Sequence, residues 1–206
     1  VNAVGSLKEE IKAADMLIPD QLIDRTYSRV STFFTEGIVA HIPFAEPFCP
    51  GLRGMLYQAA REAGATVHRQ GIYLVMEGPA FSTRAESFLH RSWGVDVIGM
   101  TALPEAKLAR EAEICYAVIA CVTDYDCWRE GHEAVTVDII METLRQNDDT
   151  TREIIKLAAG KTLEVRDCDC ASVLSTAIVT APEVIPDEQK RKLGLLIGTY
   201  LPKGGS

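Results

Sequence analysis

The stretch that most constrains the fold of this 206-residue chain runs over 114–128 and reads ICYAVIACVTDYDCW. Its first nine residues are apolar or small, which is typical of a β-strand buried on both faces. The polar residues at 123–126 follow abruptly and bring two carboxylates beside a hydroxyl. In open α/β sheets, ligands bind just beyond the carboxyl ends of such strands. The pattern therefore predicts a buried strand over 114–123 with a binding site at its end.

Strands and helices alternate around this stretch. Thr83 followed by Glu86 has the spacing of a capping box, which predicts a helix from Thr83 to about Trp93. Apolar runs predict further strands at 71–77 and 95–100, and helical periodicity predicts helices at 51–63, 103–111, 133–146, 151–159, 170–180 and 187–199. The order predicts an α/β fold, with a mixed, largely parallel central sheet flanked by helices, in a single domain over 1–206.

Two segments near the amino terminus depart from this alternation. The apolar run over 15–24 contains Pro19, which predicts a bend or an edge strand. Residues 25–50 predict a long loop, and long loops in compact domains are often functional. The chain opens on VNAVGSL, which resembles the end of a strand entering a Gly-Ser loop, so we expect further sequence before it.

Charge and apolar run length exclude several functions. The net charge is -8 and the isoelectric point about 5.1, whereas a nucleic-acid-binding surface is normally basic. Apolar runs reach only about ten residues, too few to cross a bilayer. No positively charged start precedes an apolar segment, so no signal peptide is predicted. We expect a cytoplasmic protein that binds neither membranes nor nucleic acids.

The chain contains six cysteines, without a CxxC pair and without a histidine at zinc-binding spacing from a pair. The sequence therefore predicts no metal site. Three cysteines lie in or beside the 114–123 strand and are expected to be buried, reduced thiols. The step from Cys168 to Cys170 is able to form a tight disulfide, but a single CxC is weak support for one.

The two carboxylates after the strand, Asp124 and Asp126, allow three interpretations. A DxD pair can hold Mg²⁺. The same pair can recognise a planar heterocycle, accepting from an amino group or, once protonated, donating to a ring nitrogen. Aspartates are also common in turns and helix caps without any function. The residues alone leave these alternatives open.

Other polar or aromatic residues also follow predicted strands. Met100 and Thr101 can present a thioether and a hydroxyl to a ligand. Alternatively, Met100 packs in the core and Thr101 caps a helix. Phe81 and Ser82 can place a ring over a sugar or base, or serve as a packed aromatic and a helix cap. His41 has no partnered nucleophile and is interpreted as structural. Because strand ends in one sheet converge, the sequence predicts a small-molecule site but no particular reaction.

The same segments carry a resemblance to a known family. They are NAVGSL at 2–7, HIPFAEPF at 41–48, EGPAFSTRAE at 77–86, MT with PE at 100–105 and TDYDCW at 123–128. Their order over 1–147 resembles the methylthioadenosine branch of the trimeric purine nucleoside phosphorylase family. The resemblance implies a three-layer α/β fold and phosphorolysis of methylthioadenosine to adenine and methylthioribose 1-phosphate, in purine and methionine salvage. It also implies phosphate as co-substrate, no cofactor or metal, and a homotrimer or a dimer of trimers.

The resemblance implies roles for particular residues. Asp124 is implied as the catalytic group that shares or donates a proton at purine N7, and Asp126 as the acceptor of the 6-amino group. Phe81, Ser82 and Met100 are implied to contact base or ribose. The remaining implied contacts are Tyr125 at the substrate, Asn2, Ala3 and Thr101 at phosphate, Val137 and Ile140 at the 5′-methylthio group, and His41 at a neighbouring subunit's pocket.

Alternatives within and outside this family remain open. A methylthioinosine or 6-oxopurine nucleoside phosphorylase is close, although such enzymes are expected to carry Asn where Asp124 stands. The family's Gly-rich phosphate loop and its Arg-His pair do not occur in this sequence, which predicts an N-terminally incomplete family member. A truncated, non-catalytic nucleoside-binding fragment is therefore a second hypothesis. A metal-dependent enzyme using Asp124 and Asp126 is the third.

Overall fold

A computed structural model of the chain describes residues 1–129, 136–161 and 167–202, with Ile139 and Gln146 described by their backbone alone. The strands are β1 (Asn2–Ser6), β2 (Met16–Leu17), β3 (Gln21–Arg25), β4 (Val67–His68), β5 (Ile72–Met76), β6 (Val97–Gly99) and β7 (Ala120–Asp124). The helices are α1 (Pro50–Glu62), α2 (Arg84–Ser92), α3 (Glu105–Glu111), α4 (Val137–Gly160), α5 (Asp187–Lys192) and α6 (Gly194–Ile197), with a 3₁₀ helix at Asp169–Ser175.

Within the described residues, these strands form one seven-stranded sheet in the order β3-β5-β6-β1-β7-β2-β4. The pairs β3–β5, β5–β6, β1–β7 and β2–β4 are parallel. The pairs β1–β6 and β2–β7 are antiparallel. The mixed, largely parallel sheet flanked by helices is therefore confirmed.

Strand β7 separates two hydrophobic cores because its side chains alternate between the two faces of the sheet. Ala120 and Val122 belong to a core that α3 covers through Ala106. Cys121 belongs to the other core, where α1 contributes Ala59 and α4 contributes Ile154. This alternation places the sheet between helices, while the prediction of a single domain over 1–206 stays a prediction.

The buried strand predicted over 114–123 is shorter than expected. Regular structure starts only at Ala120. The preceding residues hydrogen-bond to neighbouring loops, since the Cys49 N–H donates to the Tyr116 carbonyl at 2.8 Å. Glu113 also has a φ of 57°, which breaks the extended backbone before the strand. Tertiary contacts, and not apolar composition, set the start of β7.

The run over 15–24 forms two strands separated by Pro19. Strand β3 lies at the edge of the sheet, as predicted, but β2 lies between β7 and β4. Residues 25–50 are an irregular loop, as predicted, and Arg29 ties this loop to the end of β5 by donating to the carbonyls of Met76 and Glu77.

Helix predictions were accurate where a local signal exists. Helix α1 matches the predicted helix at 51–63, and α2 begins after Thr83, whose side chain and Glu86 form the expected capping box. The separate helices predicted at 133–146 and 151–159 are one continuous α4 from Val137, and 133–135 lie outside the described residues. The last two predicted helices are the 3₁₀ helix and the short pair α5 and α6.

Helix length and hydropathy bear on membrane association. In the described part of the chain, no helix combines the length and the apolar character needed to span a membrane.

Candidate active site

A cavity of about 280 Å³ lies over strands β1, β6 and β7. Eight of the residues predicted from the sequence line it: Asn2, Ala3, Phe81, Met100, Thr101, Asp124, Asp126 and Ile140. Further lining residues are Val1, Val4, Gly5, Met76, Ile98, Gly99 and Thr123. The structure thus gathers most of the predicted site in one place.

The strand directions correct the expected geometry of the site. Because β1 pairs parallel with β7 and antiparallel with β6, the carboxyl ends of β7 and β6 point in opposite directions. The site is therefore not a set of loops at one edge of the sheet. It extends along β1 from Gly5, which pairs with Asp124, to Asn2, which pairs with Ala120. Three residues of strand span about 10 Å.

We call Thr123, Asp124 and Asp126 the carboxylate end of the cavity. The Thr123 hydroxyl lies 2.7 Å from Asp124 Oδ2, and the Asp126 N–H donates to Asp124 Oδ1 at 2.7 Å. These contacts fix the Asp124 carboxyl at the end of β7. Asp126 has a φ of 50°, an uncommon conformation that turns the chain across the end of the cavity.

Burial affects the pKa of both carboxyls at this end. It raises the pKa of the Asp124 carboxyl against the lowering effects of Thr123 and the Asp126 N–H. It also raises the pKa of Asp126, against the lowering effect of the Ser87 and Ser82 hydroxyls. Asp126 Oδ2 is nevertheless buried with no partner within hydrogen-bonding distance among the described residues. Asp126 as a residue lines the cavity, and a buried acceptor without a partner is suited to a donor from a ligand.

Gly5 makes the carboxylate end sterically possible. A Cβ at this position would lie 2.9 Å from Asp124 Oδ1 and 3.3 Å from the Asp126 nitrogen. Any other residue would push the Asp124 carboxyl away from β1. In the sequence, Gly5 predicts only a loop, because its strand neighbour Asp124 lies more than a hundred residues away.

We call Asn2, Ala3 and Thr101 the amide end of the cavity. Asn2 Nδ2 is buried and makes no hydrogen bond of good geometry within the described residues, although the Asn2 side chain is close enough to the Tyr73 hydroxyl to oppose the rise that burial causes in its pKa. The Thr101 hydroxyl lies 3.2 Å from the hydroxyl of Tyr73, a fully buried side chain under Gly99. This end therefore offers an amide donor and an anchored hydroxyl, both able to bind an anionic or hydroxylated ligand.

Apolar groups line the cavity between its two ends. Met100 packs against Gly78, where a Cβ would lie 2.6 Å from Met100 Sδ and where φ is +71°. Phe81, in the loop after β5, is 45% exposed and lines the cavity. Met76 and Ile98 also line it. The middle of the site thus suits a flat or weakly polar group.

Four predicted residues lie outside this cavity. The Ser82 hydroxyl lies 3.9 Å from Met76 Sδ, behind the cavity wall. Tyr125 packs edge-on against Trp128 in a neighbouring core. Val137 is 66% exposed, at the first residue of α4 and one turn before Ile140. His41 is exposed on the long loop, with its N–H bonded to the Ala177 carbonyl.

Charge and metal-binding capacity narrow the chemistry of the site. Among the described residues that line the cavity, none is Lys, Arg or His. Within the described ranges, Asp124 and Asp126 gain no third His, Cys, Asp or Glu that would complete a metal-binding group. Both oxygens of Asp124 also accept hydrogen bonds from the protein. The described lining therefore offers carboxyl, amide and hydroxyl groups for hydrogen bonding and no cationic side chain.

Comparison with known families assigns the class of the protein. The model of the Phosphorylase superfamily matches residues 1–159. This match covers more than half of the chain and includes β1 to β7, so the chain belongs to this superfamily.

Individual relatives are more specific. The chain is 58% identical to S-methyl-5′-thioadenosine phosphorylase of Geobacter sulfurreducens, over 98% of this chain and 71% of the relative. It is 52% identical to the enzyme of the same name from Koribacter versatilis, over 97% of this chain and 68% of the relative.

Solved structures that resemble this chain include enzymes of the same kind as these relatives. The methylthioadenosine phosphorylase from an antarctic soil metagenomic library superimposes with a TM-score of 0.86 at 44% identity, over 95% of this chain and 69% of that chain. The methylthioadenosine phosphorylase from Schistosoma mansoni in complex with adenine has a TM-score of 0.75 at 39% identity, over 77% and 62% of the two chains.

Proposed function

We propose that the cavity binds S-methyl-5′-thioadenosine and phosphate and that the protein cleaves the N-glycosidic bond by phosphorolysis. The products are adenine and 5-methylthioribose 1-phosphate. The observation that carries this proposal is the opposite polarity of the two ends of the cavity. The carboxylate end suits the purine, and the amide end suits phosphate.

The carboxylate end matches the edge of an adenine ring. Asp126 Oδ2, buried and unpartnered among the described residues, is available to accept from the 6-amino group. A 6-oxopurine would instead place a carbonyl oxygen against this carboxylate, leaving two acceptors opposed. The proposal therefore favours 6-aminopurines over the methylthioinosine and 6-oxopurine alternatives.

The raised pKa of Asp124 suits a proton donor. In the reaction, a phosphate oxygen forms a bond to C1′ as the bond from C1′ to N9 breaks. The purine leaves with the electron pair of that bond, and a proton shared from Asp124 to N7 neutralises it. Stabilisation of the leaving group is the largest contribution expected here, because the ribosyl group becomes cation-like in the transition state.

At the amide end, phosphate is proposed to accept from Asn2 Nδ2 and the Thr101 hydroxyl. Tyr73 positions the Thr101 hydroxyl, which limits its rotation and favours productive alignment of the phosphate with C1′. Met100 and Phe81 then contact the ribose and the base, and Ile140 the 5′-methylthio group. In this proposal Val137 and Ser82 support the wall of the site without lining it.

The assembly and cofactor requirements belong to the same proposal. A homotrimer is supported by exposed apolar residues on the long loop that also carries His41, namely Tyr27, Val30, Phe33 and Val39. The reaction is proposed to need no organic cofactor and no catalytic metal. Light scattering coupled to gel filtration measures the assembly, and a monomeric mass at micromolar concentration would contradict the trimer.

The proposed reaction is tested by incubating the protein with methylthioadenosine, with and without phosphate. Adenine release is followed by chromatography, and the sugar phosphate by ³¹P NMR. We expect both products in equal amounts and only when phosphate is present. Adenine without phosphate would indicate a hydrolase, and preferential cleavage of methylthioinosine would indicate the 6-oxo alternative. Binding without turnover would support the non-catalytic binding fragment. Activity that requires added Mg²⁺ would favour the metal-dependent alternative.

A further inference from the structure

Four cysteines form a cluster outside the cavity. The sulfur atoms of Cys49, Cys115, Cys168 and Cys170 all lie within 4.8 Å of one another. Cys115 Sγ and Cys168 Sγ are 3.6 Å apart. Cys49 and Cys170 are buried, and the other two are half-buried. In the part of the chain that the structure describes, no other group of three or more potential metal ligands is found.

We propose that this cluster is a structural Zn²⁺ site with four thiolate ligands. Zinc sites of this type are tetrahedral with zinc–sulfur distances of about 2.3 Å, which corresponds to sulfur–sulfur distances of about 3.8 Å. The cluster needs only small side-chain adjustments to reach this geometry. Because each of the four sulfurs lies near the other three, the arrangement favours one tetrahedral ion bound by all four over a disulfide between any two.

The surroundings of the cluster are suited to the negative charge of a four-thiolate zinc complex. The Arg110 guanidinium lies 3.6 Å from Cys170 Sγ. Cys49 is the N-cap of the 13-residue α1, whose dipole is positive at this end. Such contacts to ligand sulfurs are typical of the groups that support a metal site.

Zinc binding does not depend on the ionisation of the free thiols, because a coordinated thiol is deprotonated by the metal itself.

The cluster joins segments that are far apart in sequence. Cys49 starts α1, Cys115 precedes β7, and the CxC pair starts the 3₁₀ helix at Asp169–Ser175. The carboxyl-terminal segment shares a small core with the long loop and hydrogen-bonds to it, as between the His41 N–H and the Ala177 carbonyl. Glu113 adds a further connection by accepting from the Leu174 N–H and the Tyr200 hydroxyl. Zinc at the cluster would therefore fasten the carboxyl-terminal segment to the sheet.

The first test is metal content of the full chain, purified under reducing conditions without a metal-affinity step. Mass spectrometry of metals is expected to find about one zinc per chain after gel filtration. Titration of thiols in denaturant with chelator is expected to find all six cysteines free. After exchange into Co²⁺, the protein is expected to show the intense visible absorption of tetrahedral thiolate coordination.

The second test compares cysteine variants. Cys168→Ser and Cys170→Ser are each expected to lose most of the bound zinc and to lower the melting temperature. Cys127→Ser is the matched control, because Cys127 is half-buried but outside the cluster, and it should keep its zinc. The Co²⁺ spectrum of the unaltered chain keeps the proposal testable if a variant fails to fold.

Four results would overturn the zinc site. The first is a reduced chain that neither carries zinc nor takes up added Zn²⁺. The second is disulfide bonding among the four cysteines, detected as fewer than six free thiols. The third is iron in place of zinc with the colour of an iron–sulfur cluster. Zinc bound equally by the unaltered chain and by both cluster variants would also exclude these ligands.

Discussion

The two ends of the cavity have different chemistry and lie near the two ends of β1. The carboxylate end has two carboxyls whose pKa burial raises, so it can accept hydrogen bonds and share a proton. The amide end is built from donors, with Asn2 Nδ2 making no hydrogen bond of good geometry among the described residues. A ligand with donors at one end and an anion at the other therefore binds in one orientation. In the proposed reaction, this difference between the two ends of β1 would set the direction in which the substrate binds.

The two ends also differ in how they are held. Asp124 is fixed by contacts with adjacent residues and by the missing Cβ of Gly5. Thr101 is fixed by Tyr73, which comes from a different strand. Changes at the carboxylate end should therefore affect catalysis, whereas changes at the amide end should affect phosphate binding.

The largest effect is expected for Asp124→Asn. An amide cannot supply the proton that the carboxyl shares with the purine, so kcat for methylthioadenosine should fall by about 10²-fold or more. Steady-state assays with methylthioadenosine and methylthioinosine measure both activity and base preference, which should shift toward the 6-oxo base. Asp187→Asn, at an exposed residue far from the cavity, is the control. An unchanged rate and preference would remove Asp124 from the proposed chemistry.

Gly5→Ala should have the next largest effect. Its Cβ would displace the Asp124 carboxyl, and a misplacement of about 1 Å can lower the rate roughly 10²-fold. The free energy of unfolding should also decrease by about 1–3 kcal/mol through overpacking. Gly54→Ala, in α1 with open space around it, should instead raise stability by about 1 kcal/mol. Full activity in Gly5→Ala would mean that Asp124 tolerates displacement.

Asn2→Ala should distinguish the function of the amide end from that of the carboxylate end. Loss of one hydrogen bond to an anion, roughly 1.5 kcal/mol, should raise the KM for phosphate about tenfold. The KM for methylthioadenosine should change little. Thr101→Val is expected to act in the same direction, and Thr26→Val, at a residue outside the cavity, should leave both constants unaltered. A larger change for the nucleoside than for phosphate would reverse the assigned polarity.

A smaller effect is expected at the 5′ position. Ile140→Ala removes half-buried apolar contact, and losing the equivalent of one CH₂ of contact with the 5′-methylthio group, roughly 0.8 kcal/mol, should lower the preference for methylthioadenosine over adenosine about fourfold. Val137→Ala is the matched control, since Val137 is exposed one turn away. The ratio of kcat/KM values measures this preference. Equal losses in both variants would mean that Val137 also reaches the substrate.

The smallest effect concerns pH and stability. The folded pKa of Asp126 lies above its ordinary value of 3.8, so the folded state binds an extra proton between these two pKa values. The contribution of Asp126 to stability is therefore present below pH 3.8 and is lost as the pH rises through its folded pKa. Urea unfolding of the unaltered chain minus Asp126→Asn isolates this change from other groups. A difference that grows in favour of the aspartate with rising pH would contradict the raised pKa.

Local sequence signals predicted the elements that depend on neighbouring residues. The capping box of Thr83 and Glu86 gave the start of α2, and periodicity gave α1. The start of β7 was wrong by six residues, because apolar composition does not report which backbone groups pair. Local sequence patterns also could not predict the direction of β1 relative to β6, because this pairing joins residues more than ninety positions apart.

For the candidate site, the sequence determined which hydrogen-bonding groups are available. Two carboxylates after β7 and an amide in β1 fix what each end can bind wherever the strands lie. The tertiary structure alone decided the arrangement. It places Asn2 and Asp124 at opposite ends of one cavity, moves Tyr125 into a core, and brings four cysteines together without any CxxC spacing. Residue identity sets hydrogen-bonding capacity, whereas long-range packing sets distance, which is why the first could be predicted and the second could not.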